Sequence, residues 1–344
     1  MHIILFLLML GACACCAAGA HYAIKKMDWL KYPVLGAGFV LLAFNLASRL
    51  MTDRFYFLFP ESFGTELLYA GSFLIAGVLS AKYLDTSSRR IIYLVFVIVL
   101  SYFTLADHVY FAVAGDRIRH LEGRTSDGVT IQTTGFTCVA ASLCTVLGQW
   151  GVECSEGEAA YALRTTFRGA SVPRVPGAVK KLGVKKKLQA KVISTTWEEL
   201  QKFDAPCLIS TEYFRISHST ALVGLDDKDV VVGEPLAGLL RIERNRYKRE
   251  WKWDGHAVVV APDFLHNFHA TDKNPRCREL LGMLSRLGYG NDEAGVKKFQ
   301  ADCGFQESGR LDWRTILAVE AQATPAGRAS LSAFANPSAG KDDE

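Results

Sequence analysis

The stretch IQTTGFTCVAASLCTVLGQW, residues 131–150, contains two cysteines and is typical of a buried helix. Two apolar stripes run along it, one with Val139, Leu143 and Val146 and one with Ala140, Cys144 and Leu147. A helix that is apolar on two stripes is expected in the centre of a domain. Cys138 would lie in the first turn, where the helix dipole and free N–H groups stabilise a thiolate. We therefore treat Cys138 as a candidate nucleophile, with a small core residue as the alternative, and expect Cys144 to be an inert core thiol.

A nucleophilic cysteine needs an oxyanion donor and a base. Gln132 stands six residues before Cys138, and an amide there can donate to an oxyanion together with the backbone N–H at the helix start. The alternative for Gln132 is a solvent-facing loop residue. Of the eight histidines, His218 and His256 each begin a predicted strand, and either could act as the base.

The residues after His218 favour it over His256. ALVGL, DDKD and VVV form the pattern of a β-hairpin, and Glu234 ends its second strand. In a hairpin the start of the first strand and the end of the second are neighbours, so the Glu234 carboxylate could orient the imidazole. The pattern leaves the register open by one residue and does not decide whether the two side chains share a face.

With these residues in place, positions 125–262 resemble the bacteriocin-processing, double-glycine-leader peptidase family of papain-like fold. The resemblance rests on Gln132, Cys138 and His218, on Glu234-Pro235 sixteen residues after the histidine, and on a late WDGHAVVV strand. It implies an α+β papain-like cysteine peptidase domain at residues 115–265. It also implies that Cys138 is the nucleophile, His218 the general base and acid, Glu234 the orienting acid and Gln132 the oxyanion donor.

Three positions depart from the family pattern. Val139 replaces the usual glycine after the nucleophile, Thr137 replaces the Asp or Asn before it, and Glu234 is one methylene longer than the usual Asp. The alternative function is therefore a catalytically degenerate domain that binds a peptide or a wall fragment as a receptor. No phosphate loop, zinc spacing or dinucleotide fingerprint occurs in the sequence, so we expect no cofactor and no complete peptidase-containing exporter.

Residues 1–114 are mostly apolar and predict a membrane anchor. Four segments approach the roughly 20 apolar residues that span a bilayer, namely 2–19, 33–51, 64–82 and 91–114. The first could instead be a signal peptide, or carry a lipid on Cys13. Lys and Arg in the loops favour a periplasmic C-terminal part, although three arginines after the fourth segment oppose this. We expect a multi-pass protein of the inner membrane, with the lipid bilayer and a peptide or protein substrate as partners.

The C-terminal part predicts a second, small domain. After a polar linker at 266–273, residues 274–322 show three short helical periods. LGY, VKKFQ, GF and G-x-LD-x-x-T resemble the peptidoglycan-binding three-helix domain, which implies an all-α module and peptidoglycan as a partner; a packing module is the alternative. Residues 323–344 are small and polar, and we expect disorder there.

Charge patterning points away from nucleic acid. The net charge is +4, and the two basic stretches at 180–187 and 241–253 contain few aromatic residues. Such stretches are typical of solvated faces, and near a bilayer they can touch anionic head groups. The nine cysteines have no regular spacing, so they do not form a disulfide framework.

Overall fold

The computed structural model describes residues 18–27, 29, 32–34, 36–38, 40, 75, 78, 110–213, 216–253, 255–323 and 328–332. The chain divides into two compact units, Met1–Asp116 with Thr166–Arg168 and Arg117–Thr165 with Gly169–Glu344. In the first unit, residues 18–26 and 110–116 are helical. Within the described residues, no helix is long and apolar enough to span a membrane. The four predicted spans lie mostly outside those residues.

The second unit contains ten strands among its described residues. They are β1 (Arg124–Ser126), β2 (Val129–Ile131), β3 (Leu188–Ser194), β4 (Cys207–Tyr213), β5 (Ile216–Leu225), β6 (Asp229–Glu234), β7 (Gly238–Glu243), β8 (His256–Pro262), β9 (Asn267–His269) and β10 (Arg310–Asp312). Six of them form one antiparallel sheet in the order β3-β8-β4-β5-β6-β7. β1 pairs with β2, and β9 pairs with β10.

The helices of this unit are α1 (Cys138–Gln149), α2 (Glu156–Ala162), α3 (Val175–Leu182), α4 (Trp197–Phe203), α5 (Arg244–Glu250), α6 (Pro275–Arg286), α7 (Glu293–Asp302) and α8 (Trp313–Ala323). The predicted buried helix is α1, in which every residue from Val139 to Leu147 is buried. It ends before Gly151, whose φ of +67° is a conformation that glycine adopts without strain. A capping box between Ser155 and Glu158 begins α2.

The large sheet is covered on both faces. On one face α1 packs against β4, β5 and β6, and α3 packs against β3 and β8. The other face contributes alternate residues to a hydrophobic cluster with α4 and the C-terminal helices: Cys207, Ile209, Leu222, Val230, Val232, Ala257 and Val259. Burial on both faces accounts for the uninterrupted apolar run AVVVA at 257–261. Helix α1 is thus held against the middle of an α+β domain.

The C-terminal helices α6, α7 and α8 occur where the helical periods were expected, but the module is not all-α. Residues 267–269, expected in a linker, form β9 and pair with β10, because Arg310 and Leu311 lie opposite His269 and Phe268. The sequence did not predict this strand, because the stretch is short and polar and shows no strand periodicity. The strand forms by pairing with a partner more than 40 residues away.

The C-terminal module packs on α4 of the preceding domain. The ring of Phe203 lies 5.6 Å from that of Trp313, and Lys202 Nζ donates to the Cys303 carbonyl at 2.7 Å. Residues 328–332 lie in the stretch expected to be disordered, yet Arg328 donates to the Phe203 carbonyl and Leu331 is buried. This contact gives the described part of the tail a fixed position, which its composition did not predict.

Candidate active site

The strand pair β5–β6 contains a β-bulge. Leu222 pairs with Val232 while Gly224 pairs with Val231, so Val223 is an extra residue on β5. A bulge shifts the register by one residue, and such a shift changes the face on which all following side chains lie.

The bulge places His218 and Glu234 on the same face of the sheet. Beyond it, Ala221 pairs with Gly233, and continuing that register sets Glu234 opposite Thr220, two residues from His218. Residues two apart on a strand share a face, so the imidazole and the carboxylate are diagonal neighbours. Without the extra residue, Glu234 would oppose Ala221 and lie on the other face. The register that the sequence left open is therefore the one that brings the two side chains together.

His218 and Glu234 form a hydrogen-bonded pair. Nε2 of His218 lies 2.8 Å from Oε1 of Glu234, and the two side chains are 11 % and 4 % exposed. The same Oε1 accepts the backbone N–H of Leu236 at 3.1 Å. A diagonal pair is more widely separated than a directly opposite one, and the glutamate side chain is long enough to reach the imidazole.

The other ring nitrogen of His218 serves Cys138. Because Nε2 is bound to Glu234, Nδ1 is the ring nitrogen left for Cys138, whose thiol lies close enough to the imidazole to influence its pKa. Burial alone would lower the pKa of His218, but the hydrogen bonds and charges of Cys138 and Glu234 outweigh it and raise the pKa to about 9. The imidazole is therefore protonated at neutral pH, which places a positive charge beside the Cys138 sulfur.

Three contacts fix α1 against the neighbouring strands β2, β5 and β6. The hydroxyl of Ser142, one turn after Cys138, donates to the Ser219 carbonyl at 2.9 Å. The Thr145 hydroxyl accepts the Thr130 N–H at 3.0 Å. A Cβ on Gly233 would lie only 2.9 Å from Thr145 Cγ2, so the helix and β6 approach more closely than a larger residue permits.

Gln132 is held beside this group by its backbone. Its N–H donates to the Pro235 carbonyl at 2.9 Å, immediately after Glu234. Its side-chain Nε2 donates to the Thr134 carbonyl at 2.8 Å, and Oε1 is buried with no hydrogen-bond partner among the described residues. The structure thus brings the Gln132 loop to the hairpin end of the acid, with one amide N–H engaged and the second left over.

Sequence reasoning missed Glu156, a fully buried carboxylate at the start of α2. Its Oε1 accepts the Thr133 N–H at 2.9 Å, next to Gln132. Its Oε2 is buried without a partner in the described part of the chain. The capping box of Ser155 and Glu158 was readable, but an acid in a first helical turn is usually exposed, and nothing in the sequence distinguishes Glu156 from that case.

Two of the three departures from the family pattern, Thr137 and Val139, are buried residues that support the site. Thr137 is buried, and its hydroxyl donates to the Thr134 carbonyl at 3.1 Å instead of capping α1. Val139 is buried in the core. The alternative base, His256, begins β8, and β4 lies between β8 and β5 in the sheet.

Comparison with known proteins bears on the same segment. Residues 126–264 match the Peptidase C39 family. An uncharacterized protein of Methanothermobacter marburgensis is 28% identical over 129 residues, which span 38% of this chain and 84% of that protein.

Two solved structures are similar at low identity. The peptidase domain of Streptococcus ComA, a bi-functional ABC transporter involved in a quorum sensing pathway, is 21% identical with a TM-score of 0.34, covering 39% of this chain and 96% of that one. A double glycine motif protease from an AMS/PCAT transporter, solved with its leader peptide, is 24% identical with a TM-score of 0.34, covering 41% and 94%. The family match confirms the peptidase resemblance that the sequence predicted for residues 125–262, and this part of the chain has an α+β fold.

Proposed function

We propose that the chain is a membrane-anchored cysteine peptidase that hydrolyses a peptide bond through a thioester on Cys138. The observation that carries this proposal is the hydrogen-bonded pair of His218 and Glu234 beside the Cys138 thiol, which lies at the start of a buried helix. A nucleophile, a base and a group that orients the base are the elements of covalent acyl transfer.

In the first half of the reaction, the Cys138 thiolate attacks the carbonyl carbon of the scissile bond while Nδ1 of His218 carries the proton. His218 then gives this proton to the leaving amine, and the acyl group remains on sulfur. In the second half, His218 takes a proton from water, and the hydroxide releases the acid. Glu234 stabilises the imidazolium and keeps Nε2 protonated, which directs Nδ1 toward the sulfur.

The oxyanion is stabilised by donors around the start of α1. The Thr137 side chain does not cap the helix, and the first N–H groups of a helix have no partner within it, so the Cys138 N–H can donate to the oxyanion. The second N–H of the Gln132 amide is the other donor. Preorganised donors of this kind contribute about 100- to 1,000-fold to the rate each.

Cleavage of a peptide library by the full chain in detergent tests this function. We expect cleavage by the wild type and none by Cys138→Ala. Reaction of the wild type with iodoacetamide at neutral pH should be fast at Cys138, as is expected of a nucleophilic cysteine paired with a base. Slow labelling together with no cleavage of any peptide would contradict the proposal.

One observation favours a second function, peptide binding without catalysis. One N–H of Gln132 Nε2 is engaged by the Thr134 carbonyl, so only the other N–H of this amide is left for an oxyanion. In this case the same peptide library would yield bound peptides, for both the wild type and Cys138→Ala, and no products. The two functions are thus separated by a single experiment.

Membrane anchoring by residues 1–114 and a periplasmic peptidase domain are further parts of the proposal. The support for the anchor is the apolar sequence of residues 1–114, in which four segments approach the roughly 20 apolar residues that span a bilayer. Alkaline phosphatase fused after Glu344 should be active, and a cytosolic fluorescent reporter at the same place should not fluoresce. The reverse pattern would place the domain in the cytosol.

The C-terminal module is proposed to bind peptidoglycan, on the resemblance of its motifs. The full chain in detergent should sediment with purified sacculi, and a chain that ends at residue 273 should sediment less. Equal sedimentation of both would leave the module a packing element of α4.

A further inference from the structure

The thiols of Cys144 and Cys154 are in contact. Their Sγ atoms lie 3.1 Å apart, and both sulfurs also approach the carbonyl of Ser155, at 3.1 Å and 3.3 Å. Both cysteines are in the free thiol form. A disulfide bond is about 2.05 Å long, so the two sulfurs need to move by only about 1 Å to bond.

The chain between them forms a defined turn. Gly151, at φ +67°, ends α1, and the Val152 N–H donates to the Leu147 carbonyl at 3.0 Å. Ser155 then begins α2 with its capping box. The end of α1, the turn and the start of α2 therefore hold Cys154 over Cys144. The backbone thus contributes to the contact between the two thiols.

The two thiols differ in accessibility. Cys154 is partly exposed, whereas Cys144 is buried at 4% exposure. The hydrogen bond to Cys154, together with burial, raises the pKa of Cys144 well above its usual value. An external reagent therefore meets Cys154 first, and Cys144 reacts only with its neighbour.

We propose that Cys144 and Cys154 are a disulfide site, oxidised by thiol–disulfide exchange with an external disulfide, either a protein thiol oxidase or glutathione disulfide. The Cys154 thiolate attacks one sulfur of the external disulfide and releases one thiol. Cys144 then attacks Cys154 Sγ and releases the second thiol. Two protons pass to the released thiols, and two electrons reduce the external disulfide while the pair is oxidised.

The catalytic cysteine stays outside this bond. Cys138 and Cys144 are six residues apart on α1, about 9 Å along the helix axis, too far for a disulfide. The bond would join the end of α1 to the start of α2 and leave Cys138 as the free thiol of this helix. The proposal does not rest on peptidase activity, because it requires only the contact between the two thiols.

Peptide mapping of the full chain in detergent tests the site. The protein is equilibrated in a glutathione redox buffer and then alkylated with iodoacetamide in denaturant. Trypsin leaves all three cysteines on one peptide, because residues 125–163 contain no Lys or Arg. Glutamyl endopeptidase cleaves after Glu153, and chymotrypsin cleaves after Leu143, which separates the three thiols. We expect the Cys154 fragment to be linked to the Cys144 fragment and Cys138 to be alkylated.

Cys154→Ser is the control, because it replaces a partly exposed thiol by a residue of similar size. It should lose the link and leave Cys144 alkylated. In thermal unfolding, a reductant should lower the melting temperature of the wild type and not that of Cys154→Ser. Full alkylation of Cys144 and Cys154 after oxidising equilibration, a link to Cys138, or an equal response of both proteins to reductant would overturn the proposal.

Discussion

The peptidase domain and the C-terminal module each carry a recognisable set of polar motif residues, and the structure uses the two sets differently. In the C-terminal module, the Gln300 amide donates to the Arg310 carbonyl and the Thr315 hydroxyl at 2.8 and 2.9 Å. Its Oε1 accepts the Gly309 N–H at 2.9 Å. Asp312 in turn accepts from both the N–H and the hydroxyl of Thr315. These motif residues satisfy one another inside the module.

In the peptidase domain the polar residues do not form a closed hydrogen-bond network. The series that starts at the buried carboxylate of Glu234 passes through His218 and ends at the partly exposed thiol of Cys138. A closed network stabilises a fold, whereas a series that ends at an accessible reactive atom can act on a substrate. Polar motif residues whose hydrogen bonds close on one another support the fold, whereas those whose series ends at an accessible reactive atom can take part in a reaction.

The largest expected effect comes from removing the proposed nucleophile or its base. Cys138→Ala and His218→Ala should each lower the cleavage rate by about 10,000-fold or more, and the double variant should be little worse, because these groups act as a unit. Single-turnover cleavage of a peptide substrate measures this. The control is Cys154→Ser assayed with reductant, which should cleave at nearly the wild-type rate. Additive losses in the double variant would break the proposed unit.

The second effect concerns the buried acid. Glu234→Gln should slow cleavage by about 100-fold, because the neutral amide orients the imidazole but does not stabilise its charge. Against the lowering effect of burial, Cys138 and Glu234 together raise the pKa of His218 to about 9. Without the charge of Glu234 the pKa of His218 falls, the imidazolium is lost at lower pH, and the alkaline limb of the pH–rate profile should move to lower pH. If the alkaline limb does not move, it reports the titration of a group other than His218.

The same shift predicts how stability depends on pH. The His218 pKa is about 9 in the folded chain and about 6.5 in the unfolded chain. The stabilisation from the ion pair is therefore fully present below about pH 6.5 and lost as the pH rises through about 9. Urea unfolding across this window should show a decline in the wild type and a weaker one in Glu234→Gln. A steeper decline in the variant would contradict this assignment.

Much of the site could be predicted from residue types and their order along the chain, because a cysteine at a helix start and a histidine before a hairpin carry local signals. The relation between them could not. Whether Glu234 faces His218 depends on the bulge at Val223, and a run of similar apolar residues does not reveal which one is extra. The contact of Ser142 with Ser219, 77 residues apart, is likewise set by tertiary packing.

The third effect tests the closed network of the C-terminal module. Gln300→Leu keeps a similar volume, leaves the Gly309 N–H without its acceptor, and removes the N–H donor that Gln300 gives to the Thr315 hydroxyl and the Arg310 carbonyl. The expected loss is about 2–3 kcal/mol in the free energy of unfolding, measured by urea denaturation. Cleavage per folded molecule should be unchanged, because the network has no contact with Cys138. Lower cleavage at unchanged stability would show that the module takes part in the reaction.

The smallest expected effect comes from Glu156→Gln. It sharpens the comparison, because the same substitution can be made at two buried carboxylates of the same domain. Glu156, like Glu234, accepts a hydrogen bond through Oε1 and has an Oε2 without a described partner. The donor to Glu156, however, is the backbone N–H of Thr133, which cannot accept a proton and has no charge to stabilise. Glu156→Gln keeps an oxygen acceptor for that N–H and removes a buried charge whose desolvation is unfavourable.

We therefore expect Glu156→Gln to change cleavage by less than about threefold and the free energy of unfolding by less than about 1 kcal/mol, in contrast to the 100-fold loss in Glu234→Gln. Glu156→Ala removes the acceptor itself and should lower kcat with little change in KM, because it frees the Thr133 N–H and loosens the loop of Gln132. Rescue by Gln but not by Ala is the result that a positioning role requires. If Glu156→Gln is as slow as Glu234→Gln, the charge of Glu156 acts on the reaction, and the scaffold assignment is wrong.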